Sequence, residues 1–422
     1  MNQNIPCIKY TTKNDLCTGC GICEGACPSK AITIQVKRGN FRPVINDPLC
    51  NNSKGCHCCY DVCPGVGINL KEQANELFGA DNDKRDFYAG SYQKCFTGYS
   101  NDYEIRYHCA SGGMVSQLLI WLLDQGKIDG AVVTSFDAKS PLLVRSRIAT
   151  TRSEILEAKS SKYAPVTLNH AIQDIKIAKG TRFVIVGLPC HIEGFRKYEA
   201  KDKLFKSKVI GYFGLFCSSG RSFYLTEHVM RERGIDMDKL EYFSYRDNGC
   251  LGNMVAKGDS FNFEERFQDY YHPLRSIFVP KRCIQCIDHY SELADVSFGD
   301  IHIQPYIQDK VGISSVIVRN KLFGDWIYEA KNDGTITLDE ISIDLLNASQ
   351  PMSKVKKTRN VAFVKIKKCI GKKVPNYGDD ISSMITIRWL ISYAQTSLQQ
   401  LVGRYKSLWF LIGLLKGKAP KE

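Results

Sequence analysis

The sequence predicts a small α+β domain, then an α/β domain with a mixed, largely parallel sheet, and a helical C-terminal tail. Three observations predict this order. Ten of the 18 cysteines lie in the first 63 residues, residues 90–350 alternate short apolar runs with helical stretches, and residues 381–415 form an apolar-rich helical segment. Strand–helix–strand order implies a parallel or mixed sheet covered by helices. We therefore expect three parts, at residues 1–75, 90–350 and 351–422, which suits a chain of 422 residues.

The composition is that of a folded protein, with 44% hydrophobic and 24% charged residues. The formal net charge of +13 is compatible with nucleic acid, an anionic membrane or an acidic partner. That charge treats every cysteine as neutral, and three cubane clusters held by cysteine thiolates would lower it to about +7. We therefore expect no nucleic-acid partner.

The N-terminus indicates the compartment. Residues 1–14 are polar and lack the apolar core of a secretory signal. We therefore expect a cytoplasmic protein whose clustered cysteines are metal ligands or redox groups rather than disulfides. No run of eighteen apolar residues occurs, so we expect no membrane span.

The first cysteine run has the spacing of a bacterial cluster-binding loop. It reads Cys17-x2-Cys20-x2-Cys23-x3-Cys27-Pro28. Three thiolates of such a run bind one cubane, and the fourth binds a neighbouring cubane. Small residues at Gly19 and Gly21 let the backbone wrap around a cluster. The run predicts an α+β ferredoxin domain with two [4Fe-4S] clusters.

A second run follows with a longer first gap. It reads Cys50-x5-Cys56-x2-Cys59-x3-Cys63-Pro64, and Ser53 stands where the usual spacing places a cysteine. Exchange of the fourth ligands predicts one site from Cys17, Cys20, Cys23 and Cys63 and another from Cys27, Cys50, Cys56 and Cys59. Cys58 is the alternative to Cys50. Zinc is disfavoured because its sites use separated pairs of cysteines.

Local patterns predict the elements that follow. A short strand is expected after each run, at residues 31–34 and 67–70, and residues 71–90 have the polar composition of a linker. In the α/β part we expect a helix at Met114–Leu123 and strands at residues 130–134, 144–150, 182–187 and 209–216. Thr151 and Glu154 have capping-box spacing and predict a helix start.

Two cysteines lie at the ends of predicted strands, at Cys190 and Cys217. If these strands are parallel neighbours, both thiols lie at the carboxyl edge of the sheet, where ligands usually bind. Cys283 and Cys286 are two further thiols at metal-ligand spacing. The alternatives are a third four-thiolate site and ordinary buried cysteines.

Seven motifs in order resemble those of one family. They are Ser111–Ser116, Ser161–Pro165, Gly187–Gly194, Gly214–Cys217, Tyr245–Asp247, Arg282–Cys286 and Ala294–Asp300. Together they resemble the coenzyme F420 hydrogenase/dehydrogenase beta-subunit family over residues 90–350. The resemblance implies an FAD-containing core beside a [4Fe-4S] cluster, with Cys190, Cys217, Cys283 and Cys286 as its ligands. Cys109-Ala110 and His191 depart from the family pattern, so the substrate is not carried over.

The resemblance also suggests flavin-binding residues. They are Ser111, Gly112, Gly113, Lys162, Asp295, Gly299 and Asp300. Amides at the start of a helix after Ser111-Gly-Gly suit a pyrophosphate, although such a turn is more often only a helix start. Lys162 is the catalytic candidate, and a solvated lysine is its alternative. Tyr245–Asp247 either contacts substrate or forms a surface ion pair.

The C-terminal part combines a lysine-rich stretch at residues 353–373 with the apolar tail. We expect the tail to pack on the body or on a partner subunit. A peripheral contact with the inner face of the membrane is the alternative.

Together these observations predict an iron–sulfur flavoprotein oxidoreductase that moves electrons between its clusters and an FAD, with an unidentified organic substrate. Its redox partner would be a carrier such as ferredoxin or a deazaflavin. The alternatives are a dehydrogenase subunit that oxidises the reduced deazaflavin F420 and a non-catalytic electron-relay subunit.

Overall fold

The computed structural model describes residues 6–79, 82, 84–137, 140–378 and 384–418. The strands are β1 (Ile32–Lys37), β2 (Asn40–Ile45), β3 (Lys84–Asp86), β4 (Gly90–Tyr92), β5 (Lys94–Ser100), β6 (Gly130–Asp137), β7 (Ser140–Ala149), β8 (Phe183–Gly187), β9 (Val209–Leu215), β10 (Tyr242–Asp247), β11 (Asn253–Gly258), β12 (Phe261–Arg266), β13 (Val296–Asp300), β14 (Ser314–Val318) and β15 (Ile336–Ile341).

The helices are α1 (Ile8–Lys13), α2 (Ile22–Gly25), α3 (Cys58–Asp61), α4 (Leu70–Phe78), α5 (Tyr103–Tyr107), α6 (Met114–Asp124), α7 (Arg152–Glu157), α8 (Ala171–Ile177), α9 (Pro189–Glu199), α10 (Lys203–Lys208), α11 (Phe223–Glu232), α12 (Phe267–Tyr271), α13 (Lys321–Asn332), α14 (Ile343–Ser349), α15 (Pro351–Val355), α16 (Val361–Cys369), α17 (Ile387–Arg404) and α18 (Ile412–Leu415). A π-helical turn, Lys356–Asn360, joins α15 to α16.

The N-terminal segment places its cysteine loops beside the antiparallel hairpin β1–β2. Arg38 and Gly39 form the two-residue turn with φ of +51° and +70°, which suits the twist of a hairpin. The strand expected at residues 31–34 is present as β1. The strand expected at residues 67–70 is wrong, because Asn69 accepts a hydrogen bond from the Glu72 amide and caps α4.

The segment 71–90 is not a linker where it is described; residues 80, 81 and 83 of that prediction lie outside the described residues. Helix α4 extends through Phe78, and Leu70, Ala74 and Phe78 are buried at a spacing of four residues. Strands β3 and β4 then form a short antiparallel pair. The polar composition misled the prediction because one apolar stripe is enough to dock a helix.

The main sheet has eight strands in the order β15-β5-β14-β13-β9-β8-β6-β7. β6, β8, β9 and β13 are parallel neighbours, and β5 runs in the same direction. β7, β14 and β15 run in the opposite direction. The prediction of a mixed, largely parallel sheet is therefore confirmed. The expected helix and strands between residues 114 and 216 are present as α6, β6, β7, β8 and β9, and Thr151 caps α7.

Hydrophobic packing is continuous between the N-terminal segment and the α/β part. Ile22 and Val62 share a buried cluster with Leu168, Ile172 and Phe195. The N-terminal segment is therefore held against the end of the sheet near α8 and α9.

The C-terminal tail packs one side against the three-stranded sheet β10–β11–β12 and its neighbours. Val402, Trp409 and Ile412 join a cluster with Val229 and Phe243. Among the described residues, no helix is long and apolar enough to cross a membrane.

Candidate functional site

The first predicted cluster site is a preformed cavity. Cys17, Cys20, Cys23 and Cys63 line one small pocket, about 280 Å³ of empty space including its open mouth, together with glycine, proline and isoleucine residues. Polar groups lie beside two of the sulfurs: Thr18 and the Ile22 amide beside Cys20, and the Gly65 amide beside Cys63. Such donors stabilise a thiolate that binds iron. The geometry fits a cubane at this place, which we name site I.

The second set of cysteines, which we name site II, includes a residue that the sequence interpretation left out. Cys59 lies near Cys7, Cys27 and Cys56, and the Ile8 amide lies beside its sulfur. Cys7 and Cys59 are buried in one apolar cluster. Lys9 faces both Cys7 and Cys50. Five cysteines therefore lie around site II. The only sign of Cys7 in the sequence is its position ten residues before Cys17.

Cys58, the alternative ligand, also lies on the Cys56 side of site II. It lies beside Cys56, Lys201 and Asp61, and Lys201 pairs with Asp61 at 2.7 Å. The preference for Cys50 as a ligand therefore rests on its position in the cysteine run.

The third set, site III, assembles at the carboxyl edge of the sheet. β8 and β9 are parallel neighbours, with Gly187 opposite Gly214. Cys190 lies in the first turn of α9 rather than at the strand end, and Cys217 follows β9 by two residues. Electrostatic coupling places Cys190 near Cys217 and Cys283, and Cys217 near Cys286.

Lys356 is a second residue that the sequence interpretation missed. Its ammonium donates to Cys286 Sγ at 3.4 Å and also to the Asp288 carbonyl. The side chain is 1% exposed, although it belongs to the lysine-rich stretch at residues 353–373. Burial opposes its charge, but Cys286 and Cys217 outweigh burial and raise the pKa of Lys356.

Sites I and III are adjacent. Cys190 of site III lies within electrostatic range of Cys20 of site I. Two buried cations join them: Lys197 donates to the Cys63 carbonyl at 3.1 Å, and Arg282, which precedes Cys283, donates to the Pro64 and Gly65 carbonyls at 3.1 Å each. α9 and the Cys283 loop are therefore tied to the N-terminal segment.

Within the described residues, no three cysteine, histidine or carboxylate side chains converge on a point where a single metal ion would bind. A cubane has a different requirement, because each thiolate binds a different iron and the sulfurs stand farther apart.

Next to site III the chain gathers a buried polar group around Arg246. Its guanidinium pairs with Asp300 at 2.8 Å and also donates to the Ala110 and Leu251 carbonyls. Ser111, whose hydroxyl donates to the Ile313 carbonyl at 2.8 Å, lies beside Asp300. Burial opposes the Arg246 charge, yet Asp300 raises its pKa, and Arg246 in turn lowers the pKa of Asp300. The ion pair expected at the surface is thus an interior one.

Gly112 and Gly113 lie beside this group but are required by the protein itself. A Cβ at Gly112 would lie 2.6 Å from the Gly98 carbonyl oxygen, and its amide donates to Ser314 Oγ at 3.0 Å. Gly113 precedes α6 with φ of +74°, in the left-handed region that favours glycine.

Lys162 reaches the same region from the loop after α7. Its ammonium donates to the carbonyls of Ala158, Lys159 and Ser160, the last two at 2.6 and 3.0 Å. Burial lowers the pKa of Lys162 to about 7, with neighbouring Cys109 acting in the opposite direction. It is therefore not the solvated lysine that was its alternative. Cys250, which no motif marked, lies near Asp300 and Arg246.

Aromatic rings connect this group to site III. Tyr163 lies 4.5 Å from Tyr271 between ring centroids and within 3.5 Å of Arg246. Tyr271 in turn lies near Cys217 and Cys283.

Three residues singled out in the sequence have structural environments. Asp295 binds Arg196 at 2.8 Å and the Tyr212 amide at 2.7 Å, so it is separate from the Arg246 group. A Cβ at Gly299 would lie 2.0 Å from the Phe216 ring. His191 accepts from the Leu188 amide and faces the Val166 carbonyl, and burial lowers its pKa to about 4.

A cationic cavity opens on the other side of site I, with about 1140 Å³ of empty space including its mouth. Its cations come from three parts of the chain: Lys37, Arg38, Arg42, Lys281 and Arg404. Asp15 pairs with Lys281 at 2.9 Å and Arg404 at 3.3 Å. Arg42 donates to the carbonyl of Cys17 at 2.8 Å, so this cavity borders a ligand of site I.

Comparison with known proteins identifies the family of the chain. Residues 95–173 and 180–344 match the models described as the N-terminal and C-terminal parts of the coenzyme F420 hydrogenase/dehydrogenase beta subunit, together more than half of the chain. Residues 10–33 match the 4Fe-4S binding domain model.

Named relatives include the coenzyme F420-dependent sulfite reductase of Methanocaldococcus jannaschii, 28% identical over 72% of this chain and 44% of the relative. The chain thus spans less than half of that relative's length. The coenzyme F420 hydrogenase subunit beta of Methanosarcina barkeri is 26% identical over 68% of this chain and 96% of the relative.

A chain in the F420-reducing [NiFe] hydrogenase complex of Methanosarcina barkeri has a similar fold, with a TM-score of 0.55 and 22% identity over 70% of this chain and 99% of that one. The chain described here belongs to the coenzyme F420 hydrogenase/dehydrogenase beta-subunit family and has a 4Fe-4S binding segment at its N-terminus.

Proposed function

We propose that the chain is an iron–sulfur flavoprotein oxidoreductase. Sites I, II and III hold [4Fe-4S] clusters, and an FAD beside Arg246 exchanges electrons with an organic substrate. When bound, cubanes carry single electrons, whereas a flavin links one-electron and two-electron chemistry.

The proximity of Cys190 to Cys20 carries this proposal. It supports an electron path in the order site II, site I, site III, because consecutive sites have ligands close together. Cys23 of site I also lies near Cys59 of site II. The aromatic pair Tyr163 and Tyr271 extends the same line to Arg246.

A buried cation beside site III supports a direction of electron flow along this path. The Lys356 ammonium places a positive charge next to the Cys286 sulfur of site III. Positive charge and hydrogen bonds to sulfur favour the reduced, more negative cluster and raise its potential. A cluster held at site III beside Lys356 would therefore be reduced more readily, and clusters at sites I and II would supply it with electrons.

The flavin assignment rests on the resemblance and on the polar group around Arg246. Ser111, Asp300, Lys162 and the start of α6 would surround it. Lys162 and Arg246 already donate to protein acceptors, so a bound flavin would exchange some of these contacts. With a pKa of about 7, Lys162 can hold or release a proton near neutral pH, which suits a general acid or base.

The cationic cavity beside Cys17 suits an acidic electron carrier such as a ferredoxin. The names of the relatives favour reduced coenzyme F420 as the second candidate for the redox partner and suggest a partner subunit. The predicted cytoplasmic location is compatible with both candidates.

The decisive test is anaerobic purification followed by iron, sulfide and flavin analysis. We expect about twelve irons per chain, from four per cubane at three sites, and one FAD. An iron content near eight without flavin would contradict the flavoenzyme and would support a relay subunit. Bleaching of the flavin by reduced F420 would favour the deazaflavin over ferredoxin as the partner.

A further inference from the structure

Helix α17 has its polar side inward. Its buried residues include Thr396, Gln399, Gln400 and Gly403. Gln400 donates to the Val279 carbonyl at 3.0 Å, and Gln399 donates to the Leu415 carbonyl at 3.1 Å. Gln400 and Gly403 line the cationic cavity. This side of the helix is therefore fixed by polar contacts.

The outward side of α17 is apolar. Ile387, Ile391, Leu398 and Leu401 are 73%, 53%, 47% and 46% exposed. With the exposed Ala394 they follow a spacing of four and three residues, which places them on one face of a helix. A face of this kind is normally covered.

Exposed apolar side chains continue beyond α17. In the part of the chain that the structure describes, twenty large apolar side chains are exposed, and ten of them lie between Met384 and Leu414. Phe410 and Leu414 are 78% and 82% exposed. A concentration of this kind marks an interaction surface rather than ordinary scatter.

The charge of this region indicates which kind of surface covers the apolar face of α17. Between residues 345 and 418 the sequence has fourteen lysines and arginines, of which Lys356 and Lys367 are buried, and its only acidic residues are Asp379 and Asp380, which lie outside the described residues. Arg388, Lys406, Lys416 and Lys418 are exposed around the apolar face, where Lys406 pairs with Glu227 and Lys416 with Glu232 of α11. A second copy of this chain would bring cations against cations, whereas an anionic lipid surface complements both the charge and the apolar face.

We propose that the outward face of α17, continued by residues 405–418, docks on an anionic membrane surface. The helix lies in the interfacial plane with Ile391, Leu398 and Leu401 inserted and Arg388 and Lys418 near the headgroups. This proposal is independent of the redox assignment.

The test is flotation of the anaerobically purified, cluster-loaded full chain with vesicles. We expect binding to vesicles rich in phosphatidylglycerol, weaker binding to pure phosphatidylcholine, and loss of binding as salt rises. The triple variant Ile391→Ser, Leu398→Ser, Leu401→Ser should reduce binding by about a hundredfold. Arg388→Gln with Lys418→Gln should reduce it by about tenfold.

The matched control is Ile177→Ser, Leu204→Ser, Leu322→Ser, three exposed residues outside the tail, which should bind like the wild type. The cluster absorption spectrum verifies folding, and the charge variant alters only the surface. Absence of binding to phosphatidylglycerol vesicles, or equal binding by all variants, would overturn the proposal. So would a protein that is a dimer in solution and becomes monomeric in the triple variant, since a second copy would then cover the face.

Discussion

At the scale of single residues, the neighbours of a side chain decide its contacts and its reactivity. Lys162 and Lys356 look alike in the sequence, yet one is held by backbone carbonyls and the other contacts a cysteine sulfur. Cys7 lies outside the two cysteine runs, yet the fold places it near Cys59 of site II. Two predictions follow from these neighbours.

The first prediction concerns the ligands of site II. Cys50→Ser should lower the iron content by about four per chain, whereas Cys58→Ser and Cys7→Ser should retain it, because Cys50 has the natural position in the run. Iron and sulfide analysis with electron paramagnetic resonance measures this. Retention of iron in Cys50→Ser together with its loss in Cys7→Ser would assign the fourth thiolate to Cys7 instead.

The second prediction concerns Lys162. Its pKa is lowered to about 7 in the folded chain, so the unfolded chain binds more protons between about pH 7 and pH 10 and wild-type stability rises across that window. Lys162→Met removes this dependence of stability on pH. The stability of the variant relative to the wild type should therefore be greater at neutral pH than towards pH 10. Denaturation midpoints measured against pH test it, with the exposed Lys179→Met as control. Parallel curves for wild type and Lys162→Met would show that Lys162 titrates normally.

At the scale of elements, the ends of strands and the starts of helices position the sites. β9 ends just before Cys217, and α9 begins just before Cys190. The backbone pair Phe216 N–H to Phe298 carbonyl, at 2.7 Å, joins the Cys217 loop to β13. Small changes in this packing should therefore act on iron binding at a distance.

The third prediction tests that packing. Gly299→Ala places a Cβ 2.0 Å from the Phe216 ring, so Phe216 and the adjoining Cys217 must move. We expect loss of about four irons and a destabilisation of about 1–3 kcal/mol. Gly413→Ala, which has nothing within 4 Å of the added atom, is the control. Full iron content in Gly299→Ala would mean that the Cys217 loop tolerates the shift.

At the scale of the whole molecule, the N-terminal segment is part of one packed body with the α/β sheet. Arg282 and Lys197 bind carbonyls of the N-terminal segment, and Ile22 and Val62 share a hydrophobic cluster with α8 and α9. The cationic cavity exists only because the hairpin β1–β2, the segment 277–281 and α17 meet.

The fourth prediction concerns that cavity. Lys37→Glu with Arg38→Glu should slow reduction of the clusters by an acidic ferredoxin by about tenfold or more at low salt and weaken the dependence of the rate on salt. Stopped-flow absorbance measures the rate. Lys331→Glu, an exposed position on α13, is the control. Equal rates in both variants would place the carrier elsewhere.

The sequence by itself predicted the cysteine sets apart from Cys7, located four strands of the main sheet and indicated the family. Cysteine spacing is set by the shape of a cubane, and apolar runs are set by burial, so both are readable locally. Only the tertiary structure decided what depends on distant contacts: the helix at residues 70–78, the interior ion pair of Arg246 and Asp300, the separate network of Asp295 and the inward position of Lys356. A polar or charged side chain carries no local sign of its partner, because that partner comes from another part of the chain.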